Sequence, residues 1–462
     1  MATRRGLRAT KRIEPQLDVL IEIEGEIVKA GGLYLKEDGG HFAATFLYAP
    51  QYLELARQGK AHSLDPLNLP LRATPFDTES RFYLLGALFD AAPDAWGRTV
   101  MAKDEGLSPV SLTESKVLLK GRGSGVGAIL FAPAGSHVER PDGSDLPTLD
   151  QIEEIYQTVR AVETGAQVSE ELRAMLMSSW DMGGARPKAV VRDDQGAEWI
   201  VKLPRSIDTY SRQRNEWANL EMARDIGIRV PETKLIDLDG DDCALLIRRF
   251  DRGEPGQMRR QHYLSAVSLV SPPPTFDKRN LDTPYGASIF SYARIASIIR
   301  AISGNVELDL MDLYARMIFN ILVHNTDDHL KNTGFLLERG PRGYLYRLSP
   351  LFDVVTQENT LKHMLHIGPL AGREGTLENA LAGAPDWRLR PQAAEEIIRR
   401  VQAVVARRRH YYDRAGMSAE EIGQVERWLG EHTPPMAHDV VETGEADPLL
   451  GTQTEVRPRP RG

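Results

Sequence analysis

The sequence predicts an α+β protein in which two β-rich units precede a helical one. The stretch LDVLIEIEGEIVKAGGLYL alternates apolar and polar residues around glycine turns, which indicates β-strands. Farther along, the patterns predict the order strand, strand, helix, strand, strand. After the proline-rich loop SPPPTFDKRNLDTPYG, periodic apolar residues predict mainly helices, interrupted by the hairpin GFLLERGPRGYLYRLSPLFDVV.

Composition limits the classes of function. The chain has 462 residues, of which 42% are hydrophobic and 26% charged, with a formal net charge of -8. A chain of this length forms about two to four structural units. The acidic balance excludes a nucleic-acid-binding surface over the whole molecule, so nucleic acid would be contacted only indirectly or weakly.

Cysteine usage and hydropathy indicate the compartment. Cys243 is the single cysteine, which excludes an internal disulfide and a cysteine-based zinc site. The basic amino terminus lacks the apolar segment of a secretory signal. No stretch reaches the roughly 18 apolar residues of a membrane span. We therefore expect a soluble, cytoplasmic protein with no membrane contact.

The first unit contains a glycine motif that needs an interpretation. After helical patterns at YLELARQ and RFYLLGALFDAAPDAWGRTVMAKDEG, the stretch GRGSGVGAILF places Gly123, Gly125 and Ala128 in a G-x-G-x-x-A pattern. Dinucleotide-binding folds use this pattern at the start of a helix. Here a proline and a glycine follow within ILFAPAG, so no helix is predicted and we reject a dinucleotide site.

The second unit supplies two hairpins and a helix. GGARPKAVVRDDQGAEWIVKLP predicts two strands around the turn DDQG, and ETKLIDLDGDDCALLIRRFDR predicts another hairpin. Between them, NEWANLEMARDIGI predicts a helix that ends near Gly227. LDQIEEIYQTVRAVETG and VSEELRAMLMSS, ahead of the first hairpin, also predict helices.

The segment HNTDDHLKN carries the strongest chemical signal. Asp327 and Asn332 are five residues apart, directly after the apolar run LYARMIFNILV. Phosphoryl transfer uses such a pair, because a carboxylate orients the attacking hydroxyl and an amide oxygen helps to hold Mg²⁺. Asp353, in the apolar stretch LSPLFDVV, is the candidate for the second metal ligand. The alternative is that Asp327 and Asn332 only cap turns.

Upstream residues add the phosphate-binding parts. Lys202 lies among apolar neighbours in EWIVKLP, where an unpaired ammonium would be costly and a phosphate would satisfy it. A lysine at a strand edge facing solvent is the alternative. Gly183 and Gly184 precede this strand and would let backbone amides approach phosphate oxygens. Glu216 is a candidate ion-pair partner for Lys202, although Glu221 lies on the same helix.

The order of these parts is that of a bilobal protein kinase: glycine turn, strand lysine, helix glutamate, Asp-x₄-Asn, then Asp. His329, two residues after Asp327, stands where protein kinases often have lysine, and this pattern also resembles lipid kinases. His324 and His329 are five apart and would not share a helix face as zinc ligands do.

Taken together, these stretches resemble the HipA-type serine/threonine kinase toxins of bacterial toxin–antitoxin systems. The resemblance rests on FDAAPDAWGR, GRGSGVGAILF, GGARPKAVV, IVKLP, RRFDR, NTDDHLKNTGFL and LSPLFDVV. It implies a bilobal protein-kinase-like core, with a β-rich N-lobe and a helical C-lobe, preceded by a small β-rich subdomain. It also implies ATP and Mg²⁺, a HipB-type DNA-binding antitoxin partner, and a protein substrate such as an aminoacyl-tRNA synthetase.

The resemblance assigns roles to residues. Asp327 would be catalytic, and Asn332 and Asp353 would be metal ligands. His329 is a second catalytic candidate, from the motif itself. The predicted ATP-binding residues are Gly183, Gly184, Lys188, Lys202, Ile247, Arg248, Phe250 and Lys331. The predicted divisions are a mobile basic tail (1–14), the amino-terminal subdomain (15–135), a linker (136–149), the N-lobe (150–270), the C-lobe (271–432) and a disordered tail (433–462).

One position departs from the family. Members can silence themselves by phosphorylating a serine just before the glycine loop, and the matching residue here is Asp181. Ser178 and Ser179 lie close by and are the candidate autophosphorylation sites. Two other interpretations of the whole chain stay open at this point: a kinase of a lipid or small molecule, and a DNA-bound corepressor or pseudokinase acting with an antitoxin.

Overall fold

The computed structural model has a mixed α+β fold, as the sequence predicts, and its described residues form three antiparallel sheets and a helical C-lobe. The structure describes residues 16–38, 41–79, 85–93, 95–108, 111–120, 125–138, 144–164, 186–254, 259–272, 278–341, 343–358 and 362–432. The predicted basic tail and the predicted disordered tail lie outside these residues.

The amino-terminal subdomain is built on a five-stranded sheet with the order β4-β3-β2-β1-β5. Every residue of β1, an interior strand between β2 and β5, is buried. The last strand, β5, follows the described residues 125–128 of this stretch directly, and no helix begins within 125–138. The elements are β1 (Leu17–Ile23), β2 (Glu26–Asp38), β3 (His41–Tyr48), α1 (Pro50–Arg57), β4 (Phe76–Glu79), α2 (Gly86–Asp90), α3 (Ala95–Asp104), α4 (Glu114–Lys120) and β5 (Ile129–Pro133).

The N-lobe carries a four-stranded sheet with the order β6-β7-β9-β8, so the predicted pair of hairpins is confirmed. The helix between the hairpins begins after Ser211, whose side chain accepts a hydrogen bond from the Arg214 amide. It ends at Gly227, as predicted. Gly227 adopts a left-handed backbone conformation with φ 91°, which glycine reaches without a steric penalty and which ends the helix. The elements are α5 (Ile152–Thr164), β6 (Lys188–Arg192), β7 (Glu198–Lys202), α6 (Arg212–Ile226), β8 (Thr233–Asp237) and β9 (Cys243–Arg248).

The C-lobe packs its helices around α10, which is buried along most of its length. The predicted hairpin is present, and a short strand that the sequence pattern did not indicate, β10, extends it to three strands with the order β10-β11-β12. β10 falls within the predicted N-lobe range 150–270 but pairs with β11, so we describe it with the C-lobe. The elements are β10 (Tyr263–Ser265), α7 (Ala266–Val270), α8 (Pro284–Ile289), α9 (Tyr292–Ile302), α10 (Val306–Leu322), β11 (Gly334–Gly340), β12 (Gly343–Leu348), α11 (Leu377–Gly383), α12 (Pro391–Val405), α13 (Arg408–Arg414) and α14 (Ala419–His432).

The buried cores cross the predicted linker. One apolar cluster joins Val100 and Val117, from α3 and α4 of the amino-terminal subdomain, to Ile155 of α5 and Trp199 of β7. A larger cluster joins the first sheet to the C-lobe helices. The amino-terminal subdomain therefore packs against both lobes. No helix in the described ranges is long and apolar enough to cross a membrane.

Candidate active site

A cavity of about 490 Å³ lies between the lobes and collects side chains from distant parts of the chain. The residues lining it include six of the predicted site residues that carry charge or a hydrogen-bonding group: Lys188, Lys202, Asp327, His329, Lys331 and Asn332. Asp353 lies at the same cavity, as do the apolar side chains of Ile247 and Phe250. These predicted site residues are thus brought together by the fold, although Lys188 and Asp353 lie 165 positions apart in the sequence.

Lys202 projects into this cavity from the end of β7 and is held by two carboxylates. Its Nζ lies 2.7 and 2.8 Å from the two oxygens of Glu216 and 2.6 Å from Oδ1 of Asp353. The side chain of Glu216 is only 3% exposed, so the pair is desolvated. Burial lowers the pKa of Lys202, but the two carboxylates outweigh it and raise the pKa above its usual value. The ammonium is therefore charged and fixed at the cavity wall.

Glu216 also positions Asp353. The backbone amide of Asp353 donates to Oε1 of Glu216 at 3.0 Å, so one carboxylate holds both residues. Asp353 has φ 62, a left-handed backbone conformation that non-glycine residues rarely adopt and that persists where surrounding contacts impose it. Burial raises the pKa of Asp353, but the charges of Lys202 and Lys188 hold it below the usual range. Asp353 is thus an anion whose side chain is still 46% exposed.

The loop after α10 carries Asp327. The chain turns sharply at His324, which has φ 53, and the next amide, of Asn325, donates to the Asn320 carbonyl at 2.9 Å. On the other side, the Met364 amide donates to the Thr326 carbonyl at 2.9 Å. Asp327 follows as an exposed residue at the cavity. The loop is therefore anchored to its surroundings just before the carboxylate that the sequence predicts to be catalytic.

The next residue, Asp328, points the other way. Its carboxylate is buried and accepts hydrogen bonds from the Tyr292 hydroxyl and from Nδ2 of Asn320, the latter at 2.8 Å. Burial raises the pKa of Asp328 to about 6, against the opposing effects of Tyr292 and His329. Sequence reasoning did not assign this residue, although the doublet of aspartates was a signal. Asp327 therefore faces the cavity, whereas Asp328 anchors the loop to α9 and α10 through its hydrogen bonds.

A 3₁₀ turn over Leu330–Asn332 places the rest of the motif. Nδ2 of Asn332 lies 3.4 Å from the Asp327 carbonyl, which orients the amide within the loop. His329 also lines the cavity, and its Nδ1 is buried without a hydrogen-bond partner among the described residues. The turn therefore presents an amide and an imidazole beside Asp327.

The oxygen donors suit a metal that is bound together with phosphates. The described part of the chain contains no group of three or more His, Cys, Asp or Glu side chains that could hold a metal by itself. Mg²⁺ is typically held by one or two protein carboxylates plus substrate phosphates. An ionised, partly exposed Asp353 and the amide of Asn332 at one cavity fit that requirement.

The segment joining the lobes differs in one residue from the prediction. Ile247 and Phe250 line the cavity, whereas Arg248 is not among the lining residues. Adjacent residues of a strand face opposite sides, so Arg248 projects away and pairs with Glu254 at 2.7 Å. Arg249, which the sequence interpretation passed over, lines the cavity and has a fully buried side chain.

Arg249 belongs to a buried charge cluster that reaches the amino-terminal subdomain. It contacts both oxygens of Asp251 at 3.0 and 2.7 Å, and Arg252 contacts Oδ2 of the same residue at 2.8 Å. The Gly127 amide donates to that oxygen at 2.7 Å, and the Gly125 carbonyl accepts from both arginines at 2.8 and 2.9 Å. The glycine stretch that resembled a dinucleotide site instead binds the segment joining the lobes.

The glycine loop of the sequence prediction cannot be placed. Gly183 and Gly184 lie outside the described residues, as do Ser178, Ser179 and Asp181. Their assignment to ATP binding and to self-silencing stays a prediction. The first described residues beyond them, Arg186, Pro187 and Lys188, line the cavity.

Comparison with known proteins supports the same architecture. Residues 180–408 match the family model of the HipA-like C-terminal domain. The solved Shewanella oneidensis complex of the toxin HipA, HipB and operator DNA contains a chain with a TM-score of 0.63 and 18% identity to this one. That match covers 90% of this chain and 95% of the other, and it shows a shared fold.

Two curated relatives are similar in sequence. A Sinorhizobium fredii protein named "Putative kinase Y4dM" is 27% identical over 238 residues, which is 48% of this chain and 52% of the relative. A Haemophilus influenzae protein named "Putative kinase" is 27% identical over 187 residues, which is 38% of this chain and 52% of the relative. The chain spans about half the length of the curated relatives it matches.

Proposed function

Residues 180–408 match the HipA-like C-terminal domain, and from that match we propose that the chain is an ATP- and Mg²⁺-dependent serine/threonine protein kinase of this family. The observation that carries the proposal is the single cavity in which Lys202, Asp327, Asn332 and Asp353 meet, with Lys202 already paired to Glu216. A turn-capping role for Asp327 and Asn332 does not explain why a charged lysine and a second ionised carboxylate share their cavity.

The residues have distinct roles in this proposal. Lys202 binds nucleotide phosphates, and Ile247 and Phe250 provide apolar surface for the base. Asp353 and Asn332 would hold Mg²⁺, which neutralises charge on the phosphates when bound. Asp327 accepts the proton of the attacking hydroxyl. The hydroxyl oxygen forms a bond to the γ-phosphorus, the bond from that phosphorus to the bridging oxygen breaks, and ADP leaves.

The biological setting is the finer part of the proposal. The family resemblance supports a toxin of a toxin–antitoxin system, held by a HipB-type antitoxin, that acts in the cytoplasm. HipA of Shewanella oneidensis was solved with HipB and operator DNA, which makes a complex of this kind the first partner to test. An aminoacyl-tRNA synthetase is the first acceptor to test, since its phosphorylation would inhibit translation.

His329 favours one second candidate. An imidazole at this position, in the order D-x-H-x-x-N, resembles kinases of lipids and small molecules, and His329 does line the cavity. A kinase of a small hydroxyl compound is therefore the alternative. A pseudokinase or corepressor is less well supported, because the residues for the chemistry are present and face one cavity.

The test is direct. Purified full-length protein is incubated with Mg²⁺ and ATP labelled on the γ-phosphate, with casein, total cell protein or a panel of small alcohols as acceptors. We expect label on serine or threonine of protein, and release of ADP that stops when EDTA is added. Label only on small molecules would favour the alternative, and no ADP release with any acceptor would contradict a kinase.

A further inference from the structure

The stretch FDAAPDAWGR contributes a buried carboxylate to the active-site cavity from outside the kinase-like core. Asp90 ends α2 of the amino-terminal subdomain and is 8% exposed. It lines the same cavity as Ser265, Lys331 and Asn332. None of the roles assigned above uses it.

Both carboxylate oxygens of Asp90 accept hydrogen bonds from β10. The Ser265 amide donates to Oδ2 at 2.6 Å, and the Ser265 hydroxyl donates to Oδ1 at 2.6 Å. Ser265 is paired in the sheet with Gly334, and the next amide, of Ala266, donates to the Thr333 carbonyl at 2.8 Å. The strand that Asp90 holds is therefore bonded to the two residues that directly follow Asn332.

The same helix faces Lys331. The Lys331 ammonium lies 5.3 Å from the ring centre of Phe89, the residue before Asp90, within the range of a cation–π contact. Burial raises the pKa of Asp90, while its contacts with Ser265 and the charge of Lys331 act in the opposite direction. Helix α2 thus presents an aromatic face to Lys331, and the next residue, Asp90, lines the same cavity as Lys331.

We propose that Asp90 is a positioning residue of the active site, which fixes Ser265 and the Lys331 ammonium beside Asp327 and Asn332. This inference rests on the proposed kinase function. As phosphoryl transfer proceeds, an ammonium held at the cavity stabilises the charge on the transferring group. The amino-terminal subdomain is on this view part of the catalytic structure, and the core without it would lack a correctly placed Lys331.

The first experiment compares two buried aspartates of the same subdomain. Asp90→Asn keeps the size of the side chain, but its amide group cannot accept from both donors of Ser265. The control is Asp18→Asn. Asp18 is also buried, lies 2.6 Å from Lys29 Nζ and accepts from the Gly135 amide at 3.0 Å, but it is not among the residues lining the cavity.

The measurement is ADP release from Mg²⁺·ATP with casein as the acceptor. We expect Asp90→Asn to lower kcat on the order of 10- to 100-fold, with a smaller change in the KM for ATP, because misplacement of a catalytic group acts mainly in the transition state. Asp18→Asn should keep kcat within about 3-fold, since it lies away from the cavity. Equal kcat values for Asp90→Asn and wild type would overturn the proposal.

A double-mutant cycle separates positioning from folding. If Asp90 acts through Lys331, adding Asp90→Asn to Lys331→Met should cost little more than Lys331→Met alone, because contacting residues are not additive. Fully multiplicative losses would mean that Asp90 has only a structural role. Should Asp90→Asn fail to fold, Ser265→Ala removes one of the two bonds and is expected to show a smaller loss with the same dependence on Lys331.

Hydrogen exchange tests the anchoring without activity. Amides of residues 330–334 should exchange faster in Asp90→Asn than in wild type. Their exchange rates in Asp18→Asn should equal those of wild type. If wild type releases no ADP, the proposed function fails while this measurement still decides whether Asp90 anchors the loop. Unchanged exchange at 330–334 in Asp90→Asn would overturn the anchoring itself.

Discussion

The ammonium of Lys202 lies 2.6 Å from Oδ1 of Asp353, a residue 151 positions later, and Glu216 holds the same ammonium from the other side. This ion pair joins Lys202, the last residue of β7 in the N-lobe, to Asp353, the candidate metal ligand in the C-lobe. Nucleotide phosphates and Mg²⁺ would compete for these two groups. The ion pair therefore fixes the positions of the Lys202 and Asp353 side chains at the cavity, where a ligand can still reach both.

Removing Lys202 should cost stability as well as activity. In Lys202→Met the buried carboxylate of Glu216 loses its partner, which we expect to lower the free energy of unfolding by about 3–5 kcal/mol. The double variant Lys202→Met/Glu216→Gln should recover most of that stability but no ATP turnover. Urea denaturation and ADP release measure the two quantities. Stability unchanged in the single variant would mean that Lys202 behaves as a solvent-facing lysine.

Asp327 and Asp353 should fail in different ways. Asp327→Asn should bind Mg²⁺·ATP like wild type but transfer phosphate on the order of 10²- to 10⁴-fold more slowly, because the proton acceptor is lost. Asp353→Asn should weaken nucleotide binding in the presence of Mg²⁺ and leave binding without Mg²⁺ less affected. Calorimetric titration with and without EDTA distinguishes them. Full phosphotransfer by either variant would rule out its assigned role.

Asp328 should make stability depend on pH in a defined direction. Its pKa in the folded protein is about 6, against 3.8 as the reference, so the folded state holds the proton more tightly. Asp328 therefore favours the folded state at low pH, and this contribution is lost as pH rises from about 4 through 6. Between these limits the free energy of unfolding of wild type relative to Asp328→Asn should fall on the order of 1–3 kcal/mol.

Urea denaturation of both proteins at pH 4.5 and 6.5 measures that difference. The groups that face Asp328 are Tyr292 and Asn320, with His329 and Arg316 acting through their charges. A difference between the two proteins that does not change with pH would contradict the raised pKa.

Asp251 should be far more important for stability than an exposed ion pair that also involves the amino-terminal subdomain. Asp251→Asn removes one of the two carboxylates that the buried Arg249 and Arg252 share, the other being that of Glu198, and we expect a loss of about 3–5 kcal/mol. The control is Arg339→Ala, whose pair with Glu24 also joins the amino-terminal subdomain to the rest of the chain but is 53% and 52% exposed. Such surface pairs contribute about 0–1 kcal/mol. Similar losses in thermal denaturation for the two variants would contradict this ranking.

Autophosphorylation, if this chain has kept it, should fall on Ser178 or Ser179. A phosphoserine carries about −1.5 to −2 charge near neutral pH and would act on a loop next to ATP phosphates, whereas Asp181 carries a single charge. We therefore expect the unmodified protein to be active. Mass spectrometry after incubation with Mg²⁺·ATP locates the phosphate. Phosphate on neither serine, in a preparation that phosphorylates casein, would mean that this chain does not silence itself there.

Local chemistry was predictable from the sequence. Asp327 and Asn332 are five residues apart in one loop, so their proximity could be predicted from their spacing. Gly227 ends its helix because glycine readily adopts a left-handed backbone conformation. Apolar periodicity likewise predicted the hairpins and α6, because each depends on neighbours within a few residues. The α+β class and the order of the lobes along the chain are therefore determined by local sequence patterns.

Tertiary structure alone decided which distant groups meet. The sequence made Glu216 the candidate partner of Lys202, with Glu221 on the same helix as a rival. In the structure Glu216 is buried against Lys202, while Glu221 pairs with Arg224 and Arg414. The contact of Asp251 with Gly127 and the grip of Asp90 on Ser265 join residues 124 and 175 positions apart. No local pattern encodes such contacts, because they depend on how whole sheets and helices pack and on where burial leaves a charge without water.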